Sequence, residues 1–311
     1  MKRKDVLQYT GKKIFAAIFT LLLVTLLSFM LMRLSPVDPA EAYVKRNSAM
    51  VTQEQIEAAR VRLGYDKPLY IQYISWLWNA LHLNFGTSLA SGLPVASQLA
   101  DALPTTLKVV AISAVFTLAG VLIFGCIGYL SHNRPLYKLF RFIGILGVSI
   151  PAFYIATAFI DVFAIKLGTI SVVGNYGLSR YLPAALCLCI SGMCFYSQLL
   201  TDALLHEMGQ DYCIYAKCTG LSESRILIFH ALPHALLDLL PSFAQMLGMS
   251  LANAAIVERV FSLSGLGYLM IDSVIARDAP MIHACVLVLA AALVLMDVIA
   301  EVVQMLLKRE L

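Results

Sequence analysis

Three carboxylates stand inside or at the edges of apolar stretches: Asp161, Asp297 and Glu301. A charge surrounded by lipid is costly, so such residues are candidates for a proton or substrate path by default. All three lie near the ends of their stretches, where a side chain can reach the interface. Ser242, Gln245 and Asn253, at spacings of three and eight, fall roughly on one helix face, accompanied by Gly248, Ala252, Ala254 and Ala255. Such a face suits close helix packing through small residues, or it lines a path. Asp161, Ser242, Gln245 and Asn253 are the candidate path residues. Cys187, Cys189, Met193 and Cys194 offer soft sulfur, which soft metals prefer. No His or carboxylate is spaced to complete a site, so these residues read as apolar filling and metal ligands stay unassigned.

Catalytic patterns are missing. His206-Glu207-Met208-Gly209-Gln210 begins like the zinc motif HExxH, but Gln210 stands where the second metal ligand is needed. No GxSxG nucleophile elbow occurs, and no GxxxxGK(S/T) phosphate loop. Asp161 has no GxGD partner. A membrane enzyme is therefore disfavoured, and no cofactor is expected in this chain.

The elements that must hold these residues are membrane helices. The 311 residues are 60% hydrophobic and only 14% charged, against about 25% in an ordinary soluble domain. The mean hydropathy of +0.80 excludes disorder. A net charge of +4 gives no case for a nucleic-acid partner, and the seven cysteines form no CxxC pair. A spanning helix needs about 20 apolar residues. Runs free of Asp, Glu, Lys and Arg at 14–32, 109–133, 142–160, 181–201, 239–257 and 279–296 meet that need, the last continuing to about Leu307. The expected fold is all-α, a six-helix bundle with the lipid bilayer as its surroundings.

The run 68–100 is a rival span, but Gln72, Asn79, His82, Asn84, Gly86, Gly92 and Pro94 interrupt it. Leu69, Tyr73, Trp76, Leu77 and Ala80 form a single stripe, so the spacing predicts an amphipathic interfacial or soluble helix. Charge supports this choice. Lys2, Arg3, Lys4, Lys12, Lys13, Arg134, Lys138, Arg141, Lys217, Arg225, Lys308 and Arg309 share one side of a six-span chain. The short segments opposite hold Lys166, Arg180, Arg259 and Arg277. The positive-inside rule then places both termini in the cytoplasm. The first apolar run is too long for a secretory leader and lacks a small-residue cleavage site, so an uncleaved first span is expected.

The expected organisation is an arm and first span over 1–34, an extracytoplasmic segment with short helices over 35–103, and a five-span core over 104–311. Thr52 and Gln55 fit a capping box ahead of Ile56, Ala59 and Leu63. Asp66 and Pro68 could start another helix. This segment docks an external partner or acts as a lid. The cytoplasmic loop 202–238 is expected to run as helix, turn at Gly220, short helix capped by Ser222, then the fifth span. It grips a soluble partner or simply connects two spans.

Asp211-Tyr212, Ala216, Gly220-Leu221 and Leu232-Pro233 resemble the "EAA" loop of ABC importer permeases, with His230 and Ile214-Tyr215 as departures from its usual Ile and Glu-Ala. Pro68 to Tyr73, Trp76 to His82, Phe85 to Ser88, Leu103 to Leu107, Gly147 to Pro151, Val257 to Phe261, Gly265 to Gly267 and Arg277 to Pro280 resemble first-type permeases of dipeptide, oligopeptide and nickel importers. Ser264 and Ala279 stand where the family often has proline and tyrosine. Trp76-Leu77-Trp78 and Gly147 to Pro151 look nearest to nickel permeases.

The resemblance implies a type I permease in the bacterial plasma (inner) membrane that moves nickel, free or chelated, by alternating access; dipeptides or oligopeptides are the alternative cargo. It implies a second homologous permease, two ABC ATPase subunits that bind ATP and Mg, and an extracytoplasmic substrate-binding protein. Asp211, Tyr212, Ala216, Gly220, Leu221, Leu232 and Pro233 would form the ATPase-coupling loop, with 216–228 as its coupling helix and Gly220 giving a turn that a side chain would obstruct. A stand-alone channel is disfavoured by such a loop.

Overall fold

The structure, a computed structural model, describes residues 3–34, 38–47, 50–132, 134–169 and 177–307. Lys2, Asn133, Lys308 and Arg309, used above to place spans and charges, lie outside them. Among the described residues the chain is helical, with one isolated bridge between Thr87 and Pro94. It divides into two compact units, Met1–Thr105 with Ser264–Val294, and Thr106–Leu263 with Leu295–Leu311.

The first unit opens with α1 (Arg3–Leu34), apolar enough to cross a membrane over Gly11–Leu34. Two short helices follow, α2 (Pro39–Asn47) and α3 (Gln53–Arg62). The capping box forms as expected: Gln55 N–H donates to Thr52 Oγ1 at 3.3 Å, and Thr52 N–H donates to Gln55 Oε1 at 3.2 Å. Ala40, Val44 and Ala59 close a small core between the two helices.

Helix α4 (Leu69–Leu81) is amphipathic and is not among the candidate spans. Ala80 of its stripe is buried and Tyr73, Trp76 and Leu77 are half-buried, whereas Leu69 is exposed. Tyr73 reaches Thr25 of α1 (Oη–Oγ1 3.0 Å), and its ring meets Phe29 at 5.6 Å. Helix α5 (Val95–Leu130) starts upstream of the expected 109 and runs through Pro104. Lys108 had bounded the charge-free run and Asp101 the run before it, but helix limits follow backbone hydrogen bonding, which surface charges do not interrupt. The start of α5 packs through Val95 and Leu99 against Leu266 and Met281.

In the second unit the expected third span is not one helix. Helix α6 (Leu136–Ser149) and α7 (Ala152–Phe159), continued by a π-helical turn over Ile160–Lys166, meet at 92°. Pro151 lacks an N–H and its ring crowds the preceding residue. Ile150 is accordingly extended, at φ −83° and ψ 121°. The described residues thus hold five helices long and apolar enough to span, plus this bent pair.

Helix α8 (Leu182–Met208) packs closely on its neighbours through glycine. A Cβ at Gly125 would lie 2.6 Å from Leu200 Cδ2 and 3.0 Å from Leu200 Cβ. One at Gly147 would lie 2.3 Å from Cys194 Sγ. With apolar lipid on the outside, such backbone approach supplies much of the dispersion energy that holds helices together. After α8 come α9 (Asp211–Cys218), α10 (Glu223–Ile226) and α11 (Leu232–Val260). The chain ends with α12 (Leu266–Ile275) and α13 (Ala279–Leu307), the latter matching the expected sixth span and its continuation.

Candidate functional site: the loop between α8 and α11

The loop 211–233 folds back on its own unit through small and apolar side chains. Cys213, Ala216, Ile226, Leu227 and Ala231 are buried in one cluster with Leu200 and Leu204 of α8, and Leu221 and Leu232 pack against it. Burial raises the Cys213 thiol pKa, so this cysteine acts as a small apolar residue. The α9 helix ends in a Schellman arrangement: Leu221 N–H donates to Ala216 O at 3.3 Å, and Gly220 N–H to Lys217 O at 3.1 Å. Gly220 takes φ +88°. The Ala216…Gly220 spacing is thus the spacing of a helix cap.

The expected 216–228 coupling helix is therefore two pieces. Ala216 lies in the last turn of α9, which ends at Cys218, and a new short helix starts after Ser222. Ser222 takes the extended N-cap backbone, yet its side chain makes no capping bond. The expectation about Gly220 changes too. A Cβ there would meet nothing within 4 Å, so left-handed backbone, not crowding, demands glycine in this chain.

Leu227–Ala231 is a π-helical turn immediately ahead of α11. Pro233 explains the widening, because it cannot donate to Phe229 and its ring presses on that carbonyl. Side chains tie the loop down. Tyr212 Oη donates to Glu207 at the end of α8, and its ring lies 5.0 Å from that of His234 in α11. Burial first, then this bond to Glu207, pushes the Tyr212 phenol pKa up. Tyr129 Oη of α5 donates to Glu223 Oε1 at 2.9 Å. Asp211 sits in the first turn of α9, where a carboxylate is favoured. Tyr129 was missed in the sequence, and Glu207 and His234 were given no role in the loop, because all three lie outside the motif. What the loop leaves outward is unusually apolar: Tyr215 is 73% and Phe229 69% exposed, with Ile214 and Ile228 beside them in sequence.

The HExxH-like segment has the right spacing and the wrong chemistry: Gln210 Nε2 meets His206 Nε2 at 2.9 Å, and no second imidazole is present. The path residues divide. Ser242 and Asn253 are half-buried on α11 and Gln245 is exposed. Asp161 pairs with Lys166 at 2.6 Å in the π-helical turn after α7. A different carboxylate is deeply held in this unit: Glu258 is 0% exposed and accepts from Thr106 Oγ1 at 2.6 Å.

Residues 118–311 match the family model described as "Binding-protein-dependent transport system inner membrane component", and residues 6–110 match the model for the N-terminal part of such components. A peptide permease protein of Brucella suis is 32% identical, covering 95% of this chain and 96% of that protein. The glutathione transport system permease protein GsiC of Escherichia coli is 30% identical, with the same shares covered. Among solved structures, a chain of the MetNI methionine ABC transporter in an inward-facing conformation superposes with a TM-score of 0.58 at 19% identity. That match covers 67% of this chain and 95% of the other.

Proposed function

The chain belongs to the family of binding-protein-dependent transport system inner membrane components, as a multi-pass permease subunit of an ABC importer, and from that premise we propose that its cargo is a peptide. The observation that carries this reading is similarity over nearly the whole chain to relatives described as peptide and glutathione permeases. Nickel, the cargo first expected, rests on the Trp76-Leu77-Trp78 and Gly147 to Pro151 likenesses alone.

In the proposed assembly the termini are cytoplasmic and a second permease completes the path. The loop 211–233 seats on an ATPase that binds ATP and Mg, and an external binding protein delivers cargo to the opposite face. The exposed Tyr215 and Phe229 support the seating, because exposed aromatics outside a membrane favour a protein neighbour. Asp211, Tyr212, Ala216, Gly220, Leu221, Leu232 and Pro233 shape that surface. Ser242, Gln245 and Asn253 lie on the stretch of α11 proposed to face the path, with Asp161 near its rim.

Vesicles carrying the assembled importer and its binding protein test the cargo. ATP-dependent uptake of a labelled tripeptide that unlabelled peptides compete away, and that nickel does not, is the expected result. Saturable uptake of labelled nickel that peptides leave untouched would overturn it.

A further inference from the structure

Within the first unit a cavity of about 500 Å³ opens among the last turns of α1, the turn after α3, helix α4 and the first turn of α13. Its volume lies in the range of small-molecule pockets. Every charged residue on its wall is a cation, namely Arg33, Arg62 and Lys67, and among the described residues no carboxylate lines it. The Arg33 guanidinium lies 4.5 Å over the Tyr65 ring and donates to Gln72. A guanidinium carries five N–H donors in a fork matched to oxyanions. On the same wall the indole N–H of Trp76 is buried without a hydrogen-bond partner. An indole can only donate, so the group that satisfies it must be an acceptor.

We propose that this cavity binds a small organic anion, with a carboxylate or phosphate head on an apolar body. The head lies on the Arg33 fork, beside Trp76. The apolar body lies along Phe29 and Phe85, and the cations at 62 and 67 draw anions in and turn cations away. Tyr65 does not compete as an anion, since burial pushes its phenol up to about 12. Because Arg33 is in the last turn of a span, the head could come from a membrane lipid as well as from a dissolved solute.

The chain has two tryptophans. Trp78 is 64% exposed, so Trp78→Phe leaves Trp76 as the sole reporter with little disturbance. The full chain in detergent is titrated with dihexanoyl phosphatidylglycerol, N-acetylleucine and zwitterionic dihexanoyl phosphatidylcholine. A saturable shift in Trp76 emission with phosphatidylglycerol supports the site with a lipid source, and one with N-acetylleucine supports it with a soluble source. Arg33→Gln should weaken that binding about tenfold or more, as loss of a charge-assisted hydrogen bond implies. Arg33→Lys, which keeps the charge without the fork, should fall between. Circular dichroism checks that both variants are folded. No saturable shift with either anion, an equal shift with phosphatidylcholine, or unchanged affinity in the folded Arg33→Gln chain would overturn the proposal.

Discussion

Changing Asp278 to asparagine removes a carboxylate that holds two distant segments together. Asp278 is 1% exposed and caps α13 by accepting from Met281 N–H at 3.4 Å. It also accepts from Ser88 Oγ at 2.5 Å and from the backbone N–H of Leu89 and Ala90 at 3.1 and 3.3 Å. An amide offers one acceptor oxygen, so at least one buried donor loses its partner, at a cost of about 1–3 kcal/mol. Thermal melts of Asp278→Asn should shift down accordingly, and a melt equal to wild type would contradict the latch. Asp38 makes a pH-dependent counterpart. Partial burial pushes its carboxyl up, but Arg60, donating at 2.6 Å, and the Ala40 N–H, donating at 2.9 Å, outweigh it and hold the pKa below the usual value. A lowered folded pKa gives stability above the unfolded pKa, lost as pH falls through the folded one. The melting gap between wild type and Asp38→Asn should therefore be full at neutral pH and close in acid. A gap that persists unchanged into strong acid would refute it.

At the scale of elements, the turn between α9 and α10 separates folding from docking. Gly220 has φ +88° with open space around it. Among residues with a side chain, Asp and Asn tolerate left-handed backbone best. Gly220→Asp is therefore expected to keep the turn while placing a charge on the surface proposed to seat on the ATPase. The chain should reach the membrane in normal amounts, by immunoblot of the membrane fraction, yet lose ATP-coupled uptake. Normal uptake would remove the docking assignment. The local signals at this scale were readable in the sequence. The Thr52 capping box, the α4 stripe and the Gly220 turn depend on neighbours a few residues away. The bend at Pro151 was readable as well, but a count of uncharged residues passes straight over a proline. The clasp of Asp278 on Ser88 was not readable, since 190 residues separate them.

For the whole molecule, apolar runs and motif spacing were enough to reach the membrane bundle and the importer family. The candidate path was less legible. Glu258, which simply ended an apolar run in the sequence, is the buried acid that binds Thr106. Asp161, an isolated acid in the sequence reading, is paired with Lys166 five residues on. The cargo is hardest to read, because in the proposed assembly another permease supplies half of the surfaces that touch it.

The right-angled joint at Ile150 and Pro151 sets a demand on what surrounds it. A helix that stops leaves its last carbonyls unpaired, and hydrocarbon offers them no donor. Ser149, Ile150 and Pro151 are exposed at the joint, so as a bent crossing or as a hairpin that returns to the same face the pair would turn its free carbonyls toward whatever lies beside it. That neighbour, a column of water or the flank of another subunit, must bring hydrogen-bond donors with it. If the kink lies at hydrocarbon depth, it marks a stretch that the bilayer alone would not solvate.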